Sequence, residues 1–165
     1  MDSKKFWQII DEARGQAGHW EDMMEPLTDS LARFDEEEIF YWQQIFNEYQ
    51  NLSYKKKLWA AAYIINEGCS DDAFDYFRAW LIAQGRIIFM NALQNPETLA
   101  NADIFREVTE FEEIMGAGAV AYDKKHGIEP DYTGFYNEID DYPLFYPKIS
   151  DSRTMAASWP LPTQD

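Results

Sequence analysis

Cys69, the single cysteine of the chain, holds the position best suited to nucleophilic chemistry. It precedes Ser70, which can cap the N-terminus of a helix, and the dipole of that helix would stabilise a thiolate. Asp71 and Asp72 follow directly and disfavour a thiolate by their charge. Both histidines lie far away in the sequence, so no recognisable motif supplies a general base. We therefore expect Cys69 to be a small buried residue at a helix junction.

A charged set follows on the next helix and suggests a ligand pocket within residues 66–86. Its residues are Cys69, Asp71, Asp72, Asp75 and Arg78. In one interpretation Arg78 binds a carboxylate or phosphate, and Asp72 or Asp75 acts as an acid or base. In the other, the aspartates cap the helix and Asp75 pairs with Arg78 three residues on, which fixes the helix against a neighbour. We favour the second, and neighbouring aromatic residues keep the first open.

Runs of acidic residues are the candidates for binding a partner protein, together with the aromatic residues beside them. The candidate residues are Asp35, Glu36, Glu37, Glu38, Glu107, Glu110, Glu113, Glu138, Asp140, Asp141 and Tyr142. Glu107, Glu110, Glu112 and Glu113 could also suggest a carboxylate metal site. Helical dimetal sites use paired Glu-x-x-His motifs, which this chain lacks, so we expect a solvated acidic face and no metal.

The elements that must position these residues are predicted to be helices, about six in number, in a single all-α domain. Apolar residues at helical spacing and cap residues such as Asp35 and Ser70 indicate this class. Residues 58–67 and 70–93 are expected to form a central buried pair, with Gly68 as the left-handed terminator of the first helix and Gly85 as a possible break in the second. Residues 104–122 show the sharpest helical periodicity, and the small residues from Gly116 could either allow close backbone approach or interrupt the helix.

The chain changes character after Gly127. Five of its seven prolines and many aromatic residues lie beyond this point. We therefore divide it into a helical domain, residues 1–127, and an irregular, aromatic, proline-rich segment, residues 128–165, which is expected to extend over the helical core.

The composition excludes several classes of partner. Thirty acidic and fourteen basic residues give a net charge of −16, which opposes binding to nucleic acid or to an anionic membrane and favours a basic protein partner. No window approaches the roughly 18 apolar residues of a membrane span, and no signal-peptide pattern follows the first lysines. A cytoplasmic location is expected. No phosphate-binding loop or dinucleotide-binding motif is present, so no cofactor is expected.

Two blocks of sequence resemble a known family. The first is FWxxIDEAR at residues 6–14, and the second is GCSDDxFxYFRxWLI at residues 68–82, which is preceded by an apolar run from Leu58 and followed by Gly85-Arg86. They are similar to a bacterial family known only as a domain of unknown function, and the likeness extends over residues 4–127. The resemblance implies no activity and no catalytic residues. Family members carry glycine after Asn66, where this chain has Glu67.

Two hypotheses of function follow. The first is a non-enzymatic acidic protein that binds a basic partner, in the manner of an immunity protein or an inhibitor that neutralises a bacterial toxin, with a nuclease as one candidate. The alternative is a small-molecule-binding enzyme or sensor whose pocket lies around residues 66–86.

Overall fold

The computed structural model describes residues 1–141, except for the side chains of Asn137, Asp140 and Asp141. Within this range the chain is helical, with no strand, so the all-α prediction is confirmed. It forms more helices than the six expected. The α-helices are α1 (Ser3–Gln16), α2 (Met24–Ala32), α3 (Glu36–Leu52), α4 (Lys56–Ile65), α5 (Asp71–Ala83), α6 (Arg86–Gln94), α7 (Ala117–His126) and α8 (Thr133–Asp141). Short 3-10 helices cover Trp20–Met23, Pro96–Asn101 and Glu112–Gly116.

The predicted caps hold the helix starts. The Asp35 side chain accepts a hydrogen bond from the backbone N–H of Glu38 at 2.9 Å, and acidic residues fill the first turn of α3. The Ser70 hydroxyl accepts from the N–H of Ala73 at 3.2 Å, so α5 begins where the sequence indicates. Such caps satisfy N–H groups that the helix cannot pair internally, and acidic first turns stabilise the positive end of the dipole.

Helix α3 lies in the hydrophobic core and carries fully buried aromatic residues. The Trp42 ring lies 5.4 Å from that of Phe6 on α1, and Tyr49 lies 4.7 Å from Trp7. Trp7 also contacts Phe89 on α6 at 5.2 Å. Interlocking rings of this kind bury large apolar areas, so they join α1, α3 and α6 firmly.

Helix α4 corrects the prediction of a central buried helix over residues 58–67. Only Leu58 and Ala62 are buried in it, whereas Ile64 is 78% exposed and Tyr63 and Ile65 are also exposed. The central position belongs to α5, which is buried from Phe77 onward. Helix α4 carries apolar residues on all of its sides. Its composition therefore does not indicate which side the rest of the chain covers.

The end of α4 also differs from the prediction. Glu67, not Gly68, holds the left-handed position after the helix, with φ of 56°. The N–H of Gly68 donates to the carbonyl of Tyr63 at 2.9 Å, which closes the helix in a Schellman arrangement. Gly68 itself has φ of 143°, and a glycine at position 67 would adopt the left-handed conformation without the strain that a side chain causes.

The helix expected over residues 70–93 is divided at Gly85. This residue has φ of 95°, outside helical geometry, and α6 starts at the next residue. The Asp11 carboxylate accepts a hydrogen bond from the N–H of Arg86 at 3.2 Å, so a side chain of α1 caps α6. A Cβ on Gly85 would lie 2.4 Å from the Asp11 Oδ1 atom, and glycine therefore allows the cap to approach.

The helical periodicity of residues 104–122 is not matched by helix over the whole of this range. Residues 102–111 form no helix, and helical geometry starts at the 3-10 helix Glu112–Gly116. Side chains of α5 and of the residue after it bind the backbone of this segment instead. Trp80 Nε1 donates to the Phe105 carbonyl at 3.0 Å, and the Phe105 N–H donates to Gln84 Oε1 at 2.9 Å. Tertiary hydrogen bonds thus replace helical ones despite the periodic pattern.

The small residues from Gly116 onward allow a close approach of α7 to α3. A Cβ on Gly118 would lie 2.6 Å from Gln43 Oε1, and the Gly118 N–H donates to that oxygen at 3.1 Å. Gln43 Nε2 also donates to the Met115 carbonyl at 3.0 Å. The prediction of close backbone approach is confirmed at Gly118.

The segment after Gly127 is less irregular than expected. Helix α8 covers Thr133–Asp141, and Phe135 is fully buried against Phe40 and Tyr122. The remainder of the predicted irregular segment, residues 142–165, lies outside the described residues. The boundary between the two predicted regions stays a prediction.

Candidate functional site

Acidic residues from two parts of the sequence meet around Tyr76 on α5. The N–H of Phe111 donates to the Tyr76 carbonyl at 3.1 Å and brings the acidic segment beside α5. The pKa of Tyr76 is raised, with the charge of Glu112 as the largest cause and the charges of Asp72 and Asp75 contributing as well. The structure thus joins two sets of residues that the sequence treats separately.

Cys69 borders the same acidic surface. The thiol is half-buried, and burial raises its pKa, with the charge of Glu110 as a second cause. A raised pKa disfavours the thiolate, in the direction expected from the sequence, although Glu110 supplies the charge instead of Asp71 and Asp72. We call this surface the Tyr76 patch, and define it by Cys69, Asp72, Asp75, Tyr76, Glu110 and Glu112.

The carboxylates around the Tyr76 patch are open to solvent. Asp71, Asp72, Glu107, Glu110, Glu112 and Glu113 are all exposed. Within residues 1–141 none of these six side chains forms an ion pair. Uncompensated charge concentrated on one surface creates a local negative potential.

Arg78 points away from solvent and is held within the protein. The residue is 5% exposed, and its guanidinium donates to the Gln50 carbonyl and to the Asp75 carboxylate. The rings of Tyr54 and Phe74 each lie 4.9 Å from the guanidinium carbon. Through these contacts Arg78 fixes α5 against the end of α3. They confirm the predicted ion pair.

A second acidic surface surrounds Tyr122 on α7. The Tyr122 hydroxyl donates to Glu138 on α8 at 2.7 Å, and burial together with this bond raises the pKa of Tyr122 to about 12, with charges including that of Glu36 adding to the shift. Glu36 also pairs with His126 at 2.9 Å. The structure therefore brings the acidic run at residues 35–38 beside Glu138. Asp140, Asp141 and Tyr142 from the same prediction lie outside the described side chains.

The run at residues 35–38 is engaged in contacts within the protein. Asp35 caps α3, Glu37 accepts from the Tyr41 hydroxyl at 2.7 Å, and Glu38 accepts from the amino terminus of Met1 at 2.6 Å. With Glu36 paired to His126, each of these carboxylates has a partner. The carboxylates near Tyr76 are better placed to attract an external charge.

Two of the cavities formed by the described residues contain little of the predicted ligand pocket. One, of about 650 Å³, is lined by Ser3, Lys4, Trp7, Gln8, Asp11, Glu12 and Arg86. The other, of about 580 Å³, lies between α4 and the 3-10 helix Pro96–Asn101, and Trp80 is its only lining residue from the range 66–86 among those described. Neither is lined by Cys69, Asp71, Asp72, Asp75 or Arg78. Among residues 1–141 no three histidine, cysteine or acidic side chains are grouped to hold a metal.

The polar residues of the first sequence block connect distant parts of the chain. Asp11 caps α6, and Arg14 donates to the Asp103 carbonyl while its guanidinium lies 5.1 Å from the Phe105 ring. A family model described as Protein of unknown function (DUF4240) matches residues 1–124, a range that contains both sequence blocks. The chain belongs to this family. No curated protein and no solved structure gives a significant match.

The part of the chain that matches DUF4240 contains most of the candidate residues, but not all of them. The Tyr76 patch and the residues lining both cavities lie within residues 1–124, whereas Glu138 lies beyond them. Trp59, in the apolar run before the second sequence block, donates to the Cys69 carbonyl at 3.1 Å, and Trp80, within that block, donates to the Phe105 carbonyl at 3.0 Å. These hydrogen bonds hold the loops on either side of the Tyr76 patch. The sequence did not predict these hydrogen bonds. No helix in the described range has the length and apolarity required to cross a membrane.

Proposed function

We propose that this DUF4240 protein binds a positively charged protein partner, and that the Tyr76 patch is the centre of the binding surface. The specific form that we favour is an immunity protein or inhibitor that neutralises a basic bacterial toxin, with a nuclease as one candidate. The net charge of −16 supports such a partner class.

The observation that carries this proposal is the grouping of acidic residues around one tyrosine. The hydrogen bond from the Phe111 N–H to the Tyr76 carbonyl, at 3.1 Å, brings Glu112 beside α5, where Asp72 and Asp75 lie on the same helix as Tyr76. The charges of these three carboxylates raise the pKa of Tyr76. A tyrosine with acidic residues at its edge resembles the aromatic centre and polar rim of many protein interfaces. A basic partner could pair with the exposed carboxylates without displacing any ion pair of the fold.

Charge complementarity would act mainly on the rate of association. A negative surface attracts a basic protein from a distance and raises the association rate, especially at low ionic strength. Fast association suits an inhibitor, because a toxin must be bound before it reaches its target. Nucleic acid is also negatively charged, and a nuclease binds it through a basic surface. An acidic inhibitor can bind the same basic surface and so compete with nucleic acid for it.

Capture from a lysate of the native host tests the proposal. The full chain is immobilised at about 50 mM salt, where screening is weak, and bound proteins are eluted with salt and identified by mass spectrometry. We expect a basic protein whose activity is suppressed by binding. Capture of a partner with no excess positive charge, or turnover of a metabolite by the isolated protein, would contradict the proposal.

Charge-neutral variants then locate the surface. Glu110→Gln, Glu112→Gln and Glu113→Gln in one protein should slow association with the captured partner by about tenfold. The matched control removes three exposed charges outside the Tyr76 patch, with Glu12→Gln, Asp103→Asn and Glu129→Gln. Equal slowing of association in both variants would mean that the rate depends only on net charge. That result would contradict the assignment of the Tyr76 patch as the binding surface.

The alternative, a small-molecule enzyme or sensor around residues 66–86, has less support. Its proposed anion-binding group, Arg78, already has the Asp75 carboxylate and the Gln50 carbonyl as partners and lies between two rings. An external anion would have to displace these groups.

A further inference from the structure

The groove beside α4 has apolar walls. Ala60, Ala61, Ile64 and Ile65 form its α4 side, and Ile64 is 78% exposed. Leu99 and Ile104 belong to the opposite side, and Trp80 is fully buried beside them. We call this feature the α4 groove. Its volume of about 580 Å³ is within the range of small-molecule sites.

Two cations line the α4 groove of this strongly acidic protein. Lys57 and Arg106 are both lining residues, and Glu97 is the single acidic residue among them. Lys57 belongs to the first turn of α4, where a positive charge is unfavourable for the helix dipole. The stability of α4 therefore does not explain why a lysine occupies position 57.

Arg106 is held in a defined orientation. One terminal nitrogen, Nη2, donates to the carbonyls of Leu99, Ala100 and Ala102 at 3.3, 3.1 and 2.8 Å. Among the side chains that the structure describes, no acidic group forms an ion pair with this guanidinium. The hydrogen bonds that it donates to described residues all come from Nη2. A guanidinium fixed on one side can present its remaining donors to a carboxylate at little entropic cost.

We propose that the α4 groove binds a small carboxylate with an apolar body. The apolar body would contact Ile64, Ile65 and Leu99, and its carboxylate would accept hydrogen bonds from Arg106 and pair with Lys57. This ligand class follows from the combination of apolar walls with an excess of positive charge. The site is separate from the Tyr76 patch, so the proposal does not depend on a protein partner.

Calorimetric titration of the full chain with decanoate tests the proposal, and decanol serves as the uncharged comparison. We expect decanoate to bind about tenfold more tightly, because a charge-assisted hydrogen bond contributes more than a neutral one. Equal affinity for the two probes would refute recognition of the carboxylate, and absence of binding would refute the site.

Variants place the binding in the groove. Lys57→Gln should weaken decanoate binding severalfold without changing decanol binding, whereas Lys125→Gln, an exposed lysine of α7 outside the groove, should change neither. Ala60→Phe, on the exposed side of α4, should fill the groove and reduce the affinity for both probes. Unchanged affinity in Ala60→Phe would place the binding elsewhere and overturn the proposal.

Light scattering on the same samples identifies a competing occupant. We expect one oligomeric state throughout the titration. If decanoate converted a dimer into monomers, and Ala60→Phe were monomeric without decanoate, a second copy of the chain would be the occupant of the groove. That result would overturn the assignment to a small carboxylate.

Discussion

At the scale of single residues, Arg78 shows how a charged side chain can serve the fold. Its guanidinium is buried, bonded to the Gln50 carbonyl and Asp75, and enclosed by the rings of Tyr54 and Phe74. Cation–π contacts and charge-assisted hydrogen bonds offset part of the lost hydration, and Nε is buried with no hydrogen-bond partner among the described residues. The spacing of Asp75 and Arg78 predicted the pair, but the enclosing rings could not be predicted from that spacing.

Arg78→Ala should therefore destabilise the protein by about 2–3 kcal/mol, because it removes the packing of the side chain and leaves Gln50 and Asp75 without their partner. Urea unfolding measures the change. Arg33→Ala, at an exposed site, is the control and should change stability by less than about 0.5 kcal/mol. If Arg78→Ala were as stable as the natural protein, the fold would not require Arg78. That result would favour the alternative hypothesis, in which Arg78 binds a ligand.

Tyr122 should make stability depend on pH in the alkaline range. Its pKa in the folded protein is raised to about 12, with burial as the largest cause, whereas an unfolded tyrosine titrates near pH 10. The folded state holds the proton more tightly, so this contribution is complete below about pH 10 and is lost as the pH rises from about 10 to 12.

Tyr122→Phe cannot ionise, and its stability should fall less than that of the natural protein across this window. Urea midpoints at about pH 9 and pH 11 measure the difference. Tyr63→Phe, at an exposed site of α4, is the matched control and should behave like the natural protein. Parallel losses in the Tyr122→Phe and natural proteins would contradict the assignment.

At the scale of elements, the division between α5 and α6 depends on one pair of residues. Gly85→Ala should destabilise the protein by about 2 kcal/mol, because alanine is strained at φ of 95° and its Cβ would meet Asp11. Gly15→Ala is the control: it lies within α1 with open space around it and should stabilise the protein by about 0.5–1 kcal/mol. Thermal unfolding compares the two variants, and equal stability of Gly85→Ala and the natural protein would refute the close approach.

The elements also show where local sequence patterns fail. Residues 104–122 have helical periodicity, yet Trp80 and Gln84 hold the start of this segment by hydrogen bonds to Phe105. Helix α4 has the apolar composition of a core element, yet Ile64 lies at the surface. Periodicity reports which residues can share a face, but whether that face is covered depends on distant parts of the chain.

At the scale of the whole molecule, the excess of acidic residues affects stability as well as binding. Self-repulsion in a protein of net charge −16 opposes the compact state, and salt screens that repulsion. The melting temperature should therefore rise as sodium chloride is increased from about 20 to 500 mM at neutral pH.

Calorimetric scans measure this dependence, and the pH supplies the control. Near the isoelectric point of about 4.3 the net charge approaches zero, so the effect of salt on the melting temperature should become much smaller. A melting temperature that does not change with salt at neutral pH would indicate that the acidic residues lie too far apart to repel one another, and would weaken the case for the Tyr76 patch.

The sequence by itself determined the all-α class, the helix starts at Asp35 and Ser70, the family and the sign of the surface charge. These depend on local spacing, capping chemistry and composition, which require no knowledge of distant contacts. Only the tertiary structure brought Glu112 beside Tyr76, buried Arg78 and exposed α4. Those outcomes depend on which helix faces meet, and that is set by packing and hydrogen bonding between residues far apart in the chain.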